Sequence, residues 1–261
     1  MKITEIKNDN IELKVPKFKC DDCLTKREIT PYPNRNGFFM IVAGTMGSGK
    51  TSFLISSLTS TKVWRKCFDN IYLVMPPTSR ASLKKNPFKH LKENHIHDDL
   101  TYDVLGEIDE EIDGRDSDSD GDKENNLLII DDQTQALKNN AIQSLLRHMV
   151  LNSRHKRLSV IILTQYLNAV PLALRKNASD IVLCNQPRNK KELDSIIEEY
   201  IGLEKQKGMQ ILRYCFKKKY DKLIMNLTHN DGPQYYRNFN KLVFDEDDKK
   251  LSDNELKKRY E

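Results

Sequence analysis

The stretch Phe38-Phe39-Met40-Ile41-Val42-Ala43-Gly44-Thr45-Met46-Gly47-Ser48-Gly49-Lys50-Thr51 runs without a break from six apolar residues into a glycine-rich octapeptide. A short continuous apolar run is the pattern of a strand buried on both faces. The octapeptide fits G-x-x-x-x-G-K-[ST], and Phe53, Leu54 and Leu58 after it supply the apolar face of a helix. Strand, glycine turn and helix in that order make a P-loop. Its glycines let the backbone turn tightly enough for successive N–H groups to converge on phosphate oxygens, and the helix adds the positive end of its dipole. Gly44, Thr45, Met46, Gly47, Ser48, Gly49, Lys50, Thr51 and Ser52 are therefore the expected ATP-binding residues. Lys50 is expected to reach the β and γ phosphates, and the Thr51 hydroxyl to ligate Mg2+.

Working outward, four more apolar runs read as buried strands: Ile71 to Met75, Leu127 to Ile130, Val160 to Thr164 and Ile181 to Cys184. Helical spacing joins Ile142, Leu145, Leu146, Met149 and Val150, and again Leu193, Ile196, Ile197, Tyr200 and Ile201. Strands alternating with helices give an α/β fold with a mostly parallel sheet flanked by helices. After Gly202 the pattern changes, and Ile211 to Phe216, Lys222 to Leu227 and Lys241 to Phe244 read as edge strands or a small C-terminal addition. Three regions follow: a polar lead-in over 1–37 that packs on the core outside its sheet, a P-loop domain over 38–244, and a charged tail over 245–261.

Leu127-Leu128-Ile129-Ile130-Asp131-Asp132 supplies the second half of a nucleotide site, the Walker B strand. Asp131, at the end of a buried strand beside the P-loop, is placed to hold Mg2+. Asp132 is expected to orient or deprotonate the attacking water, with an outer-shell metal role as the alternative, because an Asp is shorter than the Glu usual at this position. Gln165 ends the next strand, where an amide can sense the γ-phosphate. Arg154, in the basic turn Arg154-His155-Lys156-Arg157, is the first candidate for an arginine acting on a neighbouring subunit's nucleotide, and Arg175 is the second.

Across 261 residues, 31% are charged and 38% apolar, and no apolar run is long enough to span a bilayer. Five scattered cysteines do not form a disulfide framework, and the polar N-terminus lacks a secretory pattern, so a reducing, intracellular setting is expected. The net charge of +5 is uneven. Residues 106–124 hold ten acidic residues against Arg115 and Lys123, giving −8 there and +13 elsewhere, a surplus that suits a polyanion such as nucleic acid. Residues 106–126 read as an acidic, disordered surface insertion without a packing pattern. Within it Asp116, Asp118, Asp120, Gly121 and Asp122 match the opening of a calcium loop, but the twelfth position is Leu127 rather than Glu. Cys20 and Cys23 form a C-x-x-C with no second pair at zinc spacing. The clusters Arg188 to Lys191 and Lys217 to Tyr220 read as either a DNA-facing surface or solvated loops.

Taken together, the P-loop, the paired aspartates, Asn152-Ser153-Arg154-His155 followed by Val160 to Gln165, Arg175-Lys176-Asn177-Ala178 and Ile181 to Cys184 resemble viral genome-packaging ATPases of the FtsK–HerA superfamily, of the poxvirus, giant virus and virophage type. The resemblance covers roughly Phe38 to Tyr200. It implies a RecA-like sheet of the strand-inserted (ASCE) type and a homo-oligomeric ring, pentamer or hexamer. It further implies ATP-driven movement of double-stranded DNA into a capsid at its portal vertex, with Arg154 acting in trans. The setting it implies is the host cytoplasm at the viral factory, with virion association as an option. A helicase or DNA-transfer motor would share these motifs, and a nucleotide-gated scaffold with little hydrolysis is the reading from outside the motor class.

Overall fold

Successive side chains of a strand point to opposite faces, so a strand that is apolar throughout needs cover on both. In the computed structural model, which describes residues 23–83, 86–115, 124–228 and 232–243, this is the situation of β1 (Phe39–Ala43), buried at every position. Phe39, Ile41 and Ala43 enter one apolar layer, Met40 and Val42 the other. The elements after β1 are α1 (Lys50–Thr59), β2 (Asn70–Val74), α2 (Pro77–Ala81), β3 (Ile96–His97), α3 (Tyr102–Asp113) and β4 (Asn126–Asp131). Next come α4 (Asn140–Leu151), β5 (Leu158–Thr164), α5 (Leu172–Arg175), β6 (Asp180–Leu183) and α6 (Lys190–Ile196), which continues into a π turn, Ile197–Ile201. The chain continues with α7 (Lys205–Cys215), β7 (Leu223–Asn226), β8 (Gln234–Arg237) and β9 (Asn240–Lys241).

The nine strands form one sheet in the order β3-β2-β4-β5-β1-β6-β7-β8-β9. Pairing is parallel from β3 to β6 and antiparallel from β6 to β9. The mostly parallel sheet flanked by helices is the architecture expected from the alternation of motifs. β5 lies between the P-loop strand β1 and the Walker B strand β4, pairing Ala43 with Thr164 on one side and Asp131 with Leu163 on the other. This insertion sets the polar residue that ends β5 between the two halves of the site. Phe53 and Leu54 of α1 share a layer with Trp64 and with Leu24, Ile29 and Tyr32 of the lead-in; the Trp64 Nε1–H donates to the Pro33 carbonyl at 3.1 Å. Residues of α3, α4, the π turn and α7 fill the opposite layer.

Two expectations are corrected. Residues 106–113, read as patternless, belong to α3: Leu105, Ile108 and Ile112 recur at i, i+3 and i+7 and are buried against the sheet, while Glu107, Glu110 and Asp113 are exposed and the partly buried Asp109 and Glu111 pair with Lys156 and His95. The Thr101 hydroxyl caps its start by accepting from the Val104 N–H at 3.1 Å. Of the stretch Ile211 to Phe216, read as an edge strand or part of a small C-terminal addition, Ile211 to Cys215 are the second half of α7, whose buried face is Gly208, Ile211, Leu212 and Cys215. Gly208 is required there, because a Cβ would come within 2.6 Å of the Ile197 side chain. The calcium-loop residues Asp116 to Asp122, Cys20 of the C-x-x-C, Phe244 and the charged tail lie outside the described residues. Leu127 is a fully buried residue of β4, and Cys23 is exposed. Among the described residues, no helix is long and apolar enough to cross a membrane.

Candidate active site

The strand ends put the reacting groups on one edge. β1, β4 and β5 run parallel, so Gly44, Asp131 and Gln165 all emerge at their C-terminal ends. In open α/β sheets this edge is where ligands bind. Gly49 precedes α1 with φ 92°, a left-handed conformation that side chains resist, and this aims the first turn of the helix back toward the loop. Gly44 is needed for a different reason. A Cβ there would lie 2.6 Å from the Ser48 Oγ and 2.8 Å from the Asn185 Oδ1.

Lys50 folds over the loop, its Nζ donating to the carbonyls of Gly44 at 2.6 Å and Thr45 at 3.3 Å. The Ser48 Oγ is buried and has no hydrogen-bond partner among the described residues, which leaves a donor directed into the turn. A phosphate oxygen satisfies both groups, so the loop fits the ligand its sequence implies. Thr51 Oγ1 lies 3.5 Å from the Asp131 Oδ2. Asp131 is only 6% exposed, and burial pushes its carboxyl up to about 6, with Asp132 adding to the rise and Lys50 opposing it. A hydroxyl and a buried carboxylate held this close suit a hard divalent cation, which takes oxygen ligands and favours the charged form.

Asp132 adopts φ 55°, unusual for a residue other than glycine but tolerated by Asp and Asn. Its side chain is exposed, and the Oδ1 accepts from the Gln165 Nε2 at 3.3 Å. The two expected water-handling residues therefore meet, one from each of two neighbouring strands.

Neither arginine joins this group within one chain. Arg154 is half-buried in the turn before β5, with its backbone against Gly37. That turn is at the far end of a seven-residue strand, about 20 Å from the P-loop edge. Arg175 is 7% exposed and donates to the Glu199 Oε2 at 3.0 Å and the Tyr200 hydroxyl at 3.4 Å. Its guanidinium is committed to an internal ion pair, which speaks against the reach a neighbour's nucleotide would require.

Four contributors to the site were not assigned to it from the sequence. The Asn185 Oδ1 accepts from the Thr45 N–H at 2.7 Å and ties the P-loop to the end of β6. Its signal was available, since it is a polar residue two positions beyond a buried strand next to β1. Gln133 holds the backbone beyond the Walker B pair by accepting from the Leu100 N–H at 3.1 Å and donating to the Asp98 carbonyl at 3.0 Å. Tyr220 and Lys222, from the loop before β7, line the same cavity as Gly49, Lys50 and Thr51. A second cavity, about 460 Å3, is lined by Gly44, Thr45 and Gln165 together with Arg188 and Lys191. Of the second basic cluster, Lys217 stacks on the Tyr214 ring at 4.1 Å and Lys219 on the Tyr220 ring at 4.9 Å.

Solved structures with this fold include B204, the DNA-packaging ATPase from Sulfolobus Turreted Icosahedral Virus, at 17% identity over 77% of this chain and 97% of that one, TM-score 0.50. The genome packaging NTPase B204 from Sulfolobus turreted icosahedral virus 2, in complex with AMP, aligns at 17% identity over 80% and 100%, TM-score 0.52. EssC (ATPases 2 and 3) from Geobacillus thermodenitrificans aligns at 13% identity over 85% of this chain and 43% of that one, TM-score 0.55. At these identities the likeness is one of fold. No curated protein matches the sequence. The family profile described as Poxvirus A32 protein matches residues 32–258, most of the chain, and the chain belongs to that family.

Proposed function

We propose that this chain is an ATP-hydrolysing motor that moves double-stranded DNA into a viral capsid in the infected cell, as its family membership supports. The observation that carries the chemistry is the meeting of Lys50, Thr51 with Asp131, and Asp132 with Gln165 on one sheet edge. The Asp132 carboxylate takes a proton from water as the water oxygen bonds to the γ-phosphorus, and ADP leaves as the bond from that phosphorus to the β–γ bridging oxygen breaks. Gln165 holds that carboxylate and orients the water. The Lys50 ammonium and the loop N–H groups stabilise charge spreading over the phosphate oxygens. Thr51 and Asp131 would hold Mg2+, which when bound would neutralise phosphate charge. The basic surplus outside residues 106–124 gives the DNA partner an electrostatic basis.

In a homo-oligomeric ring a cation can enter the site from a neighbour, and we assign that role first to Arg154, in the turn before β5, with Arg175, which pairs with Glu199, as the second candidate. The DNA enters at the portal vertex of the capsid in this reading. Displacement of a third strand from a triplex-bearing duplex tests the motor. ATP-dependent displacement by wild type that is absent in Lys50→Ala supports translocation. Turnover without displacement, in assembled protein, counts against it.

A further inference from the structure

The cavity that begins at the P-loop continues past it. It measures about 620 Å3, and beyond the phosphate cradle its walls are Tyr32, Phe53, Ser56, Tyr220, Lys222 and Phe239. Tyr32 stacks on Phe53 at 5.5 Å and on Phe239 at 6.0 Å, making a continuous aromatic wall. Phe239 and Tyr220 nevertheless stay 63% and 53% exposed beside the phosphate site, with the Lys219 Nζ 4.9 Å from the Tyr220 ring centroid. The Tyr220 ring lies over the loop, where a Cβ on Gly49 would sit 3.3 Å from its Cδ1. With the β and γ phosphates at Lys50 and the α-phosphate at the start of α1, the remainder of a nucleotide extends along Phe53 and Ser56 into this wall.

We propose that the cavity holds the nucleotide base by stacking alone and does not select among bases, so that the substrate class is nucleoside triphosphates in general. This rests on the hydrolytic reading above. Strong discrimination needs donors and acceptors of fixed polarity facing the base edge. Among the described residues, the cavity wall has no side-chain amide or carboxylate. Among the described residues, its polar side chains away from the phosphates are the hydroxyls of Ser56, Tyr32 and Tyr220, each able to donate or accept, and Lys222, whose Nζ already donates to the Tyr220 carbonyl at 2.9 Å. Every base has a stacking face, whatever its edge.

Asp221 is the positioning residue for this wall. Its carboxylate accepts from the Arg237 Nη2 at 2.8 Å, the Lys218 N–H at 2.8 Å and the Asn238 Nδ2 at 3.1 Å, which fastens the loop bearing Tyr220 to β8 and the turn after it. Tyr220 is held with φ 71°, a conformation that a tyrosine adopts only when its surroundings impose it.

Calorimetric titration with ATP, GTP, CTP, UTP and inorganic tripolyphosphate, each with Mg2+, tests this on wild type, Tyr220→Ala, Tyr220→Phe and Phe239→Ala. The four nucleotides are expected to bind within about tenfold of one another, with Tyr220→Ala weakening all four by about tenfold, leaving tripolyphosphate unchanged, and Tyr220→Phe restoring affinity. One nucleotide bound more than about 100-fold tighter than the rest overturns the proposal, as does equal weakening of tripolyphosphate by Tyr220→Ala. Should Tyr220→Ala fail to fold, Phe239→Ala reads the same wall with the same expected and opposing results. Binding of all four without turnover removes the hydrolytic reading and leaves the base site standing, whereas no binding even of tripolyphosphate removes both.

Discussion

Replacing Asp132 by Asn separates the base from the backbone that carries it. The residue sits at φ 55°, and Asn is among the few side chains that accept this conformation, so the substitution adds little strain. The Asn carbonyl oxygen can still accept from the Gln165 Nε2, which lies 3.3 Å from the Asp132 Oδ1. Because the side chain is exposed, stability is expected to change by less than about 0.5 kcal/mol. The negative charge and the proton-accepting oxygen are lost. A positioned general base contributes about 10² to 10⁴ in rate, equivalent to about 3 to 5 kcal/mol of barrier, and kcat is expected to fall by that factor. KM for ATP with Mg2+ is expected to stay within about twofold, since Asp131 and Thr51 are untouched. Steady-state phosphate release with a matched thermal melt measures both quantities. A fall in kcat below about tenfold, or a steep rise in KM with kcat retained, refutes the base assignment, and the latter favours an outer-shell metal role.

Three further outcomes follow from particular contacts. Ile108→Ala is expected to cost about 2 to 4 kcal/mol in chemical denaturation, because Ile108 is 1% exposed within α3; no change would mean that this acidic helix does not pack on the sheet. Arg154→Ala is expected to leave nucleotide binding intact and to lower turnover only in the assembled form, measured by comparing activity across protein concentration; equal loss in monomer and ring counts against action in trans. Burial pushes the Asp180 carboxyl up to about 7, above its unfolded value, so the stability it permits is complete below about pH 4 and declines as pH rises through about 7. Asp180→Asn is therefore expected to melt progressively higher relative to wild type between about pH 5 and pH 8, and a constant offset across that range would contradict the assignment.

The parts of the fold that were legible are those where one residue type repeats at one period. β1, β4 and β5 each carry a run of at least four apolar residues because both faces are covered, and each run leads directly into the site, at Gly44, Asp131 and Gln165. α4 was equally plain, with Ile142, Leu146, Met149 and Val150 buried along one face. α3 was hidden by its composition: three apolar residues set among Asp and Glu carry the packing, and the acidic count drew the reading toward disorder. α7 was hidden because one of its four core positions is Gly208, which packs by having no side chain at all. Of the site, the local motifs were readable and the remote ones were not. Asn185 and Tyr220 lie 140 and 171 residues from Thr45 and Gly49, and only the order β5-β1-β6-β7 brings them to the P-loop. For Arg175 the remote part is its partner, since its sequence context carries no sign of Glu199, which lies 3.0 Å from it.

The central claim is that the edge shared by β1, β4 and β5 hydrolyses ATP. Phosphate release by assembled wild type and Lys50→Ala, with Mg2+ and double-stranded DNA present and nucleotide binding followed in parallel, tests it most directly. The account predicts turnover in wild type and a loss of at least about 100-fold in the variant. Wild type that binds ATP under these conditions and releases no phosphate would contradict it.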